Sequence, residues 1–349
     1  MLFLPCLLHA QDSTNAPQNG ITSFPGPDFI LRDKDLKPEK GRVVLGNDGN
    51  GGTTFTVYGG SADIQAYSLS FSGDGKILAV GSTPGRIDLW DVEKPRKLRT
   101  LEGGSTVGLS LDGRLLAKDG KDGSGIELYD VASGKLQRRI PRVLKRAENV
   151  VENFVFSPDR NLLNVTANGD DDAVYEVSSG KLIAILVNTQ HSQFSKDGSL
   201  LIGGNAKHII VWSTKDWTKV RDLPNGPDYV TRIAALPEKD LVVVGGPKLA
   251  QLRRLGSGEE VARVGDGYTN FAAFNPNGTL IFTYSGGSGF TIWSASGRRY
   301  CSRQKLGNGA VALSGNGQWL AAAPEHGGTT VMIWNMQNAL AACGSAPSQ

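Results

Sequence analysis

Hydrophobic and polar positions alternate along most of this chain in short runs, each closed by a cluster of turn-forming residues. One stretch shows the pattern in full. Tyr67-Ser-Leu-Ser-Phe71 alternates with the period of two expected of a half-buried strand. Ser72-Gly-Asp-Gly75 follows, and Asp and Gly tolerate the backbone conformations that a tight hairpin demands. Lys76-Ile-Leu-Ala-Val80 is the returning strand, residues 82–85 break the chain again, Arg86-Ile-Asp-Leu-Trp90 alternates as a third strand, and Leu98-Arg-Thr-Leu101 is a fourth. Four antiparallel strands in some 40 residues have the size and pattern of one propeller blade.

The same pattern recurs along the chain. The turn reads Phe71-Ser-Gly-Asp-Gly75, Leu109-Ser-Leu-Asp-Gly113, Phe156-Ser-Pro-Asp-Arg160, Phe194-Ser-Lys-Asp-Gly198, Ala235-Leu-Pro-Glu-Lys239, Phe274-Asn-Pro-Asn-Gly278 and Leu313-Ser-Gly-Asn-Gly317, at intervals of 38 to 47 positions. A second marker, the residue closing the third strand, keeps the same period at Trp90, Tyr129, Tyr175, Trp212, Leu252, Trp293 and Trp334. Seven units at a fixed period predict an all-β chain: a seven-bladed β-propeller of four-stranded antiparallel blades over residues 41–339. The seventh unit lacks a fourth strand of its own. Thr53-Thr-Phe-Thr-Val-Tyr58, lying just before the first unit, is expected to pair with Thr330–Trp334 and close the ring, leaving no open sheet edge between the first and last blades. Arg42–Leu45 finds no place in this scheme.

Within these units Leu89-Trp-Asp-Val92, Leu128-Tyr-Asp-Val-Ala-Ser-Gly-Lys-Leu136 and Tyr175-Glu-Val-Ser-Ser-Gly-Lys-Leu182 resemble the repeats of the bacterial WD40-like family. The resemblance covers roughly residues 53–337. No unit carries the Gly-His that opens a full repeat, and Trp-Asp survives intact only at Trp90-Asp91, so the repeats are degenerate. The resemblance implies that the first strand of each blade lines the central channel and that ligands meet the face where the chain enters it. Aligned on the turn, the entrance residues include Tyr67, Glu152, Gln190, His191, Thr231, Arg232 and Asn270, polar and unalike in an otherwise repetitive chain. They make either a recognition surface or a merely solvated mouth.

Glycine, at 45 of 349 residues, is nearly twice its usual share of ~7%, as seven sets of turns require. A net charge of +3 is too balanced for a binder whose affinity comes from neutralised phosphates, so no nucleic-acid partner is expected. The one uneven region follows the second unit. Arg138, Arg139, Arg142, Lys145 and Arg146 stand close together, with Asp170, Asp171 and Asp172 on a loop expected to project from the same face. They form either a dock for an acidic partner or two charge groups that screen each other.

Residues 1–10 pass from an apolar run to Leu8-His9-Ala10 and then an abrupt polar turn, the pattern of a signal peptide whose charged start is missing. Export to the periplasm or secretion is expected on that ground, with a cytoplasmic location as the alternative. Residues 11–40 are expected to be a flexible segment and 340–349 a C-terminal tail. No run reaches the ~18 apolar residues that span a bilayer. Cys301 and Cys343 either join, if the chain is exported, or stay free thiols. His191, His208 and His326 fall in different units, so no metal and no cofactor are expected, and no nucleophile or phosphate-loop motif is present. Gly46–Gly52 starts like a calcium loop but has Gly59 where the closing glutamate belongs.

These observations favour a non-catalytic scaffold, a monomer that binds another protein or peptide. Small-ligand or glycan binding at the mouth, drawing on Tyr67, Tyr229 and Tyr268, is the alternative. A lactonase-like or quinone-dependent propeller enzyme is third, since only Glu152 and His191 stand where its carboxylates and histidines would be needed.

Overall fold

The computed structural model describes residues 22–23, 26–31, 43–47, 53–57, 65–83, 85–120, 125–142, 151–167, 171–205, 208–224, 229–285, 289–303, 309–323 and 330–343. Blade 1 is a meander of Gln65–Phe71, Ile77–Thr83, Arg86–Asp91 and Arg96–Glu102, each strand hydrogen-bonded to the next. Blades 2 to 6 repeat that order over 107–141, 151–186, 190–224, 232–266 and 269–303. The first strand of each blade packs on the first strand of the next, and that of blade 7, Val311–Leu313, packs on that of blade 1, so the seven form a closed ring.

The recurring Ser-x-Asp turn is structural chemistry. In blades 1, 2, 3, 4 and 7 the hydroxyls of Ser72, Ser110, Ser157, Ser195 and Ser314 donate to the side-chain oxygen two residues on, at 2.6–2.7 Å. Each also accepts the backbone N–H five residues on, at 2.9–3.0 Å. Asn275 does the accepting in blade 6, taking the Leu280 N–H at 2.8 Å. Blade 5, whose turn reads Leu-Pro-Glu-Lys, uses a 3-10 turn over Pro237–Lys239 with Asp240 in the left-handed region. Each arrangement satisfies turn groups that would otherwise be stranded next to the core.

An N-terminal strand does close the ring, but it is Phe29–Leu31, antiparallel to Val331–Asn335 in register Phe29↔Ile333 and Leu31↔Val331. Thr53–Val57, expected in that place, pairs instead with Val43–Asn47, which also places the segment that the sequence pattern could not. The cause lies in packing and capping. Leu31 is fully buried beside Val331 and Ile333, and Phe29 meets the Trp319 ring edge-on, with centroids 5.6 Å apart. Asp28 fixes the register, its N–H donating to the Ile333 carbonyl at 2.8 Å and its carboxylate accepting from Asn338 at 3.1 Å. Part of the expected flexible segment therefore belongs to blade 7. Thr22–Ser23 adds a parallel fifth strand to the outer edge of blade 6.

The chain after blade 7, expected to be small and polar, opens with a helix, Met336–Ala342, capped by the Asn335 side chain. Met336 and Ala339 are buried against Trp334 and Leu320. A disulfide joins Cys301, on the outermost strand of blade 6's own meander, to Cys343 at the helix end. Among the described residues no helix is long and apolar enough to cross a membrane.

Candidate functional site at the channel mouth

The entrance of the innermost strand is irregular in four of the seven blades. In blades 1, 3, 4 and 6 the ladder between first and second strands slips by one residue, and the extra residue falls at Tyr67, Glu152, His191–Ser192 and Asn270. A β-bulge re-aims the side chain it carries. Four of the seven residues singled out from the sequence therefore stand on bulges at one end of the channel.

His191 has φ +54°, a left-handed conformation that non-glycine residues adopt at a cost of about 1–3 kcal/mol. Its ring sits between Glu152 and Arg232. The Arg232 Nη1 lies 3.3 Å from His191 Nδ1, and Glu152 Oε2 lies 3.7 Å from the same nitrogen. A guanidinium only donates, so Nδ1 accepts and the imidazole proton sits on Nε2. Burial, and then the charge of Arg232, push the His191 pKa down to about 3, which makes the ring neutral at ordinary pH. Arg232 is further anchored by Nε to the Asn270 carbonyl at 2.8 Å and by Nη1 to the Thr231 carbonyl at 2.8 Å. Tyr268 joins the group, its hydroxyl held above the usual phenol value by burial, then by Tyr229 and Glu152, against the pull of Arg232. Tyr67, Tyr229 and Tyr268 are each about half exposed.

One of the candidates serves another purpose. Thr231 is buried, and its hydroxyl donates to the Thr269 carbonyl of the next blade at 2.8 Å. Thr106 makes the same stitch to Val151 at 2.8 Å. Gln190 is half-buried at the first pair of its strand, opposite Gly204.

In the charged region after the second unit, Asp172 does not project as expected. Asp172 is the first residue of a strand and fully buried. Its carboxylate accepts from Asn164 Nδ2 at 3.0 Å, from Thr166 Oγ1 at 2.7 Å and from the Ser192 hydroxyl, directly behind the His191 bulge. Burial pushes its pKa up to about 6 despite those donors. Three consecutive aspartates look like a solvated loop, but strand alternation turns the last one inward. Asp171 accepts the Asn188 N–H at 2.7 Å; Asp170, Lys145 and Arg146 lie outside the described residues.

Arg138 and Arg139 lie on the outermost strand of blade 2, Leu136–Pro141, and Arg142 is half-buried just past its end. Arg138 reaches the Ser179 carbonyl of blade 3 at 3.1 Å, as Arg99 reaches Ala132 and Arg221 reaches Gly256 across two other blade boundaries. It is one of a set of clasps between neighbouring blades.

Sequence inspection missed the ladder to which Arg139 belongs. Lys118, fully buried, places Nζ 2.7 Å from Glu127 Oε2, and Arg139 Nε takes the other oxygen at 3.0 Å. The Tyr129 hydroxyl donates to Glu127 at 3.1 Å, and Lys118 lies 5.4 Å from the centre of its ring. Burial would raise the Glu127 pKa, but hydrogen bonds from Lys118 and Arg139, the Lys118 charge and the Tyr129 hydroxyl hold it below the ordinary value. The available signal was a lysine within an apolar strand, nine positions before a glutamate that pairs with it across the hairpin.

Among the described residues no group of three or more His, Cys, Asp or Glu could hold a metal ion. With a closed ring of seven blades in place, comparison with known families adds one match. Residues 52–91 match the WD domain, G-beta repeat. That WD40 match takes in the first three strands of blade 1 and the Thr53–Val57 strand before it. A curated relative, Pre-mRNA-processing factor 19 of Oryza sativa subsp. japonica, is 32% identical over 170 residues, 46% of this chain and 31% of the relative. The chain thus spans about a third of that relative's length. The relative is a plant protein, and neither similarity speaks for a bacterial origin.

Proposed function

We propose that this WD40-repeat propeller is a non-catalytic protein-interaction scaffold that docks a protein or peptide on its channel mouth. The observation that carries this reading is the set of entrance bulges, which turn Tyr67, Glu152, His191 and Asn270 out of register at one end of the ring. The WD40 match and the similarity to a pre-mRNA-processing factor support a scaffold role by analogy. The three half-exposed tyrosines favour small-ligand or glycan binding as a second reading of the same mouth.

The test is affinity capture with the full chain, with a Glu152→Ala/Arg232→Ala/Tyr268→Ala variant, and with Lys94→Ala/Arg96→Ala on the opposite face as control. Partners lost only from the mouth variant, with its melting curve preserved, support the reading. Partners kept by the mouth variant overturn it.

We also propose that the chain works outside the cytosol as a monomer. The apolar-to-polar change at residues 1–10 and the Cys301–Cys343 bridge support export, because such bridges persist in oxidising compartments. Free thiols at both positions in native material, found by non-reducing mass spectrometry, would remove that support. Light scattering reads the oligomeric state, and a dimer mass would refute the monomer.

A further inference from the structure

We infer that the mouth receives a basic side chain, an arginine or lysine from a peptide segment, over the Glu152 carboxylate and against Tyr268 and Tyr229. The inference rests on the docking role proposed above and adds the chemistry of the partner.

It follows from counting which polar groups at the mouth are already occupied. Arg232 Nε is engaged on the Asn270 carbonyl and Nη1 on the Thr231 carbonyl and His191. His191 is neutral and presents to Glu152 the same nitrogen lone pair that accepts from Arg232. It therefore separates the two opposite charges without cancelling either. Among the described residues nothing donates a hydrogen bond to Glu152, whose side chain keeps 30% of its exposure. An anion stands at the mouth with its acceptor positions open, within electrostatic range of the Tyr268 hydroxyl.

The complement of an open carboxylate beside exposed aromatic rings is a cation, which a carboxylate binds by charge-assisted hydrogen bonds and a ring face attracts through its quadrupole. Other partners fit less well. An acidic side chain would meet the Glu152 charge and find Nε and Nη1 of the guanidinium already engaged. An apolar one would strip water from an unpartnered carboxylate and give nothing back.

Display selection of random 12-residue peptides on the full chain tests this, followed by fluorescence anisotropy of an enriched peptide. The expected result is an Arg or Lys at one fixed position. Citrulline or norleucine there, and Glu152→Gln in the protein, should each raise Kd about tenfold. The effects should not add, because both remove one interaction. Glu152→Asp should keep part of the affinity, and the Glu152→Gln melting curve should match the parent because Glu152 holds no partner in the fold.

An acidic or apolar residue at the fixed position, or basic peptides that bind Glu152→Gln as tightly as the parent, would overturn the inference. If such peptides still lose affinity with Tyr268→Ala, only the basic side chain is refuted and docking at the mouth stands. Peptides indifferent to every mouth substitution, or a selection that enriches nothing, would refute the docking face itself.

Discussion

Glu127→Gln tests whether the Lys118–Glu127–Arg139 ladder is a structural ion pair whose loss the fold cannot absorb. Lys118 has no exposed surface, and its ammonium has two other near contacts, the Asp119 carbonyl at 3.3 Å and the Tyr129 ring. Two unit charges 2.7 Å apart attract by about 6 kcal/mol at an effective dielectric of ~20. Desolvation of the carboxylate offsets part of this, so removing the negative charge alone should cost about 3–5 kcal/mol, the range for a buried charge left unpaired. Lys118→Met should cost less, because Glu127 keeps Arg139 and Tyr129. The double variant should lie near Lys118→Met alone, a coupling of about 2–3 kcal/mol. Guanidinium chloride unfolding followed by tryptophan fluorescence gives the energies, and hydrogen exchange in Leu115–Asp119 and Gly125–Asp130 localises them. A cost below about 1 kcal/mol for Glu127→Gln, or additivity within ~0.5 kcal/mol, would refute the reasoning.

Asp172 should make the fold lose stability as pH rises. Its folded pKa of about 6 lies above the unfolded value near 4, so the benefit is full below ~4 and is lost through ~6, by an amount of about 3 kcal/mol. Asp172→Asn should flatten this part of the curve in melting scans from pH 4 to 8; an unchanged slope would assign the titration elsewhere. Breaking the Cys301–Cys343 bridge, which closes a separation of 42 residues, should cost about 4 kcal/mol by the chain-entropy model, read as a lower melting temperature in reductant that Cys343→Ser reproduces. Leu31→Ala should cost about 2–4 kcal/mol as a buried truncation, whereas deleting residues 43–57 should leave the melting temperature within a few degrees. The reverse order would return ring closure to Thr53–Val57. Gly81→Ala should destabilise the junction of blades 1 and 2 by about 1–3 kcal/mol, because a Cβ there falls 2.0 Å from the Ser105 carbonyl oxygen; melting tests this too.

The seven-unit ring was legible because its markers are local. Ser-x-Asp-Gly encodes a turn through contacts within six residues, and the residue closing each third strand recurs at the same place in every unit. What escaped the sequence depends on distant partners. Phe29-Ile-Leu31 is three apolar residues in a polar stretch, and only the vacancy beside Val331–Asn335 makes it a strand. Thr53–Val57 alternates better and lies nearer blade 1, so pattern alone preferred it. Asp172 was misplaced because composition suggests a loop where pairing with Leu186 makes a strand. At the mouth the residue types were visible, but the bulges that present them and the Nδ1 position shared by Arg232 and Glu152 arise only when blades 3 to 6 stand side by side.

Ring closure also sets a timetable for biosynthesis. Leu31 waits for Val331, three hundred residues later. At the ~5–20 residues per second of translation, roughly 15–60 s separate the emergence of the two strands. Throughout that interval the first six blades can assemble in order, while Phe29–Leu31, the outer strand of the last blade, has no sheet to join. The step that seals the ring is therefore the last to become possible. A nascent chain of this protein must keep a short apolar segment out of trouble for most of the time it takes to be made.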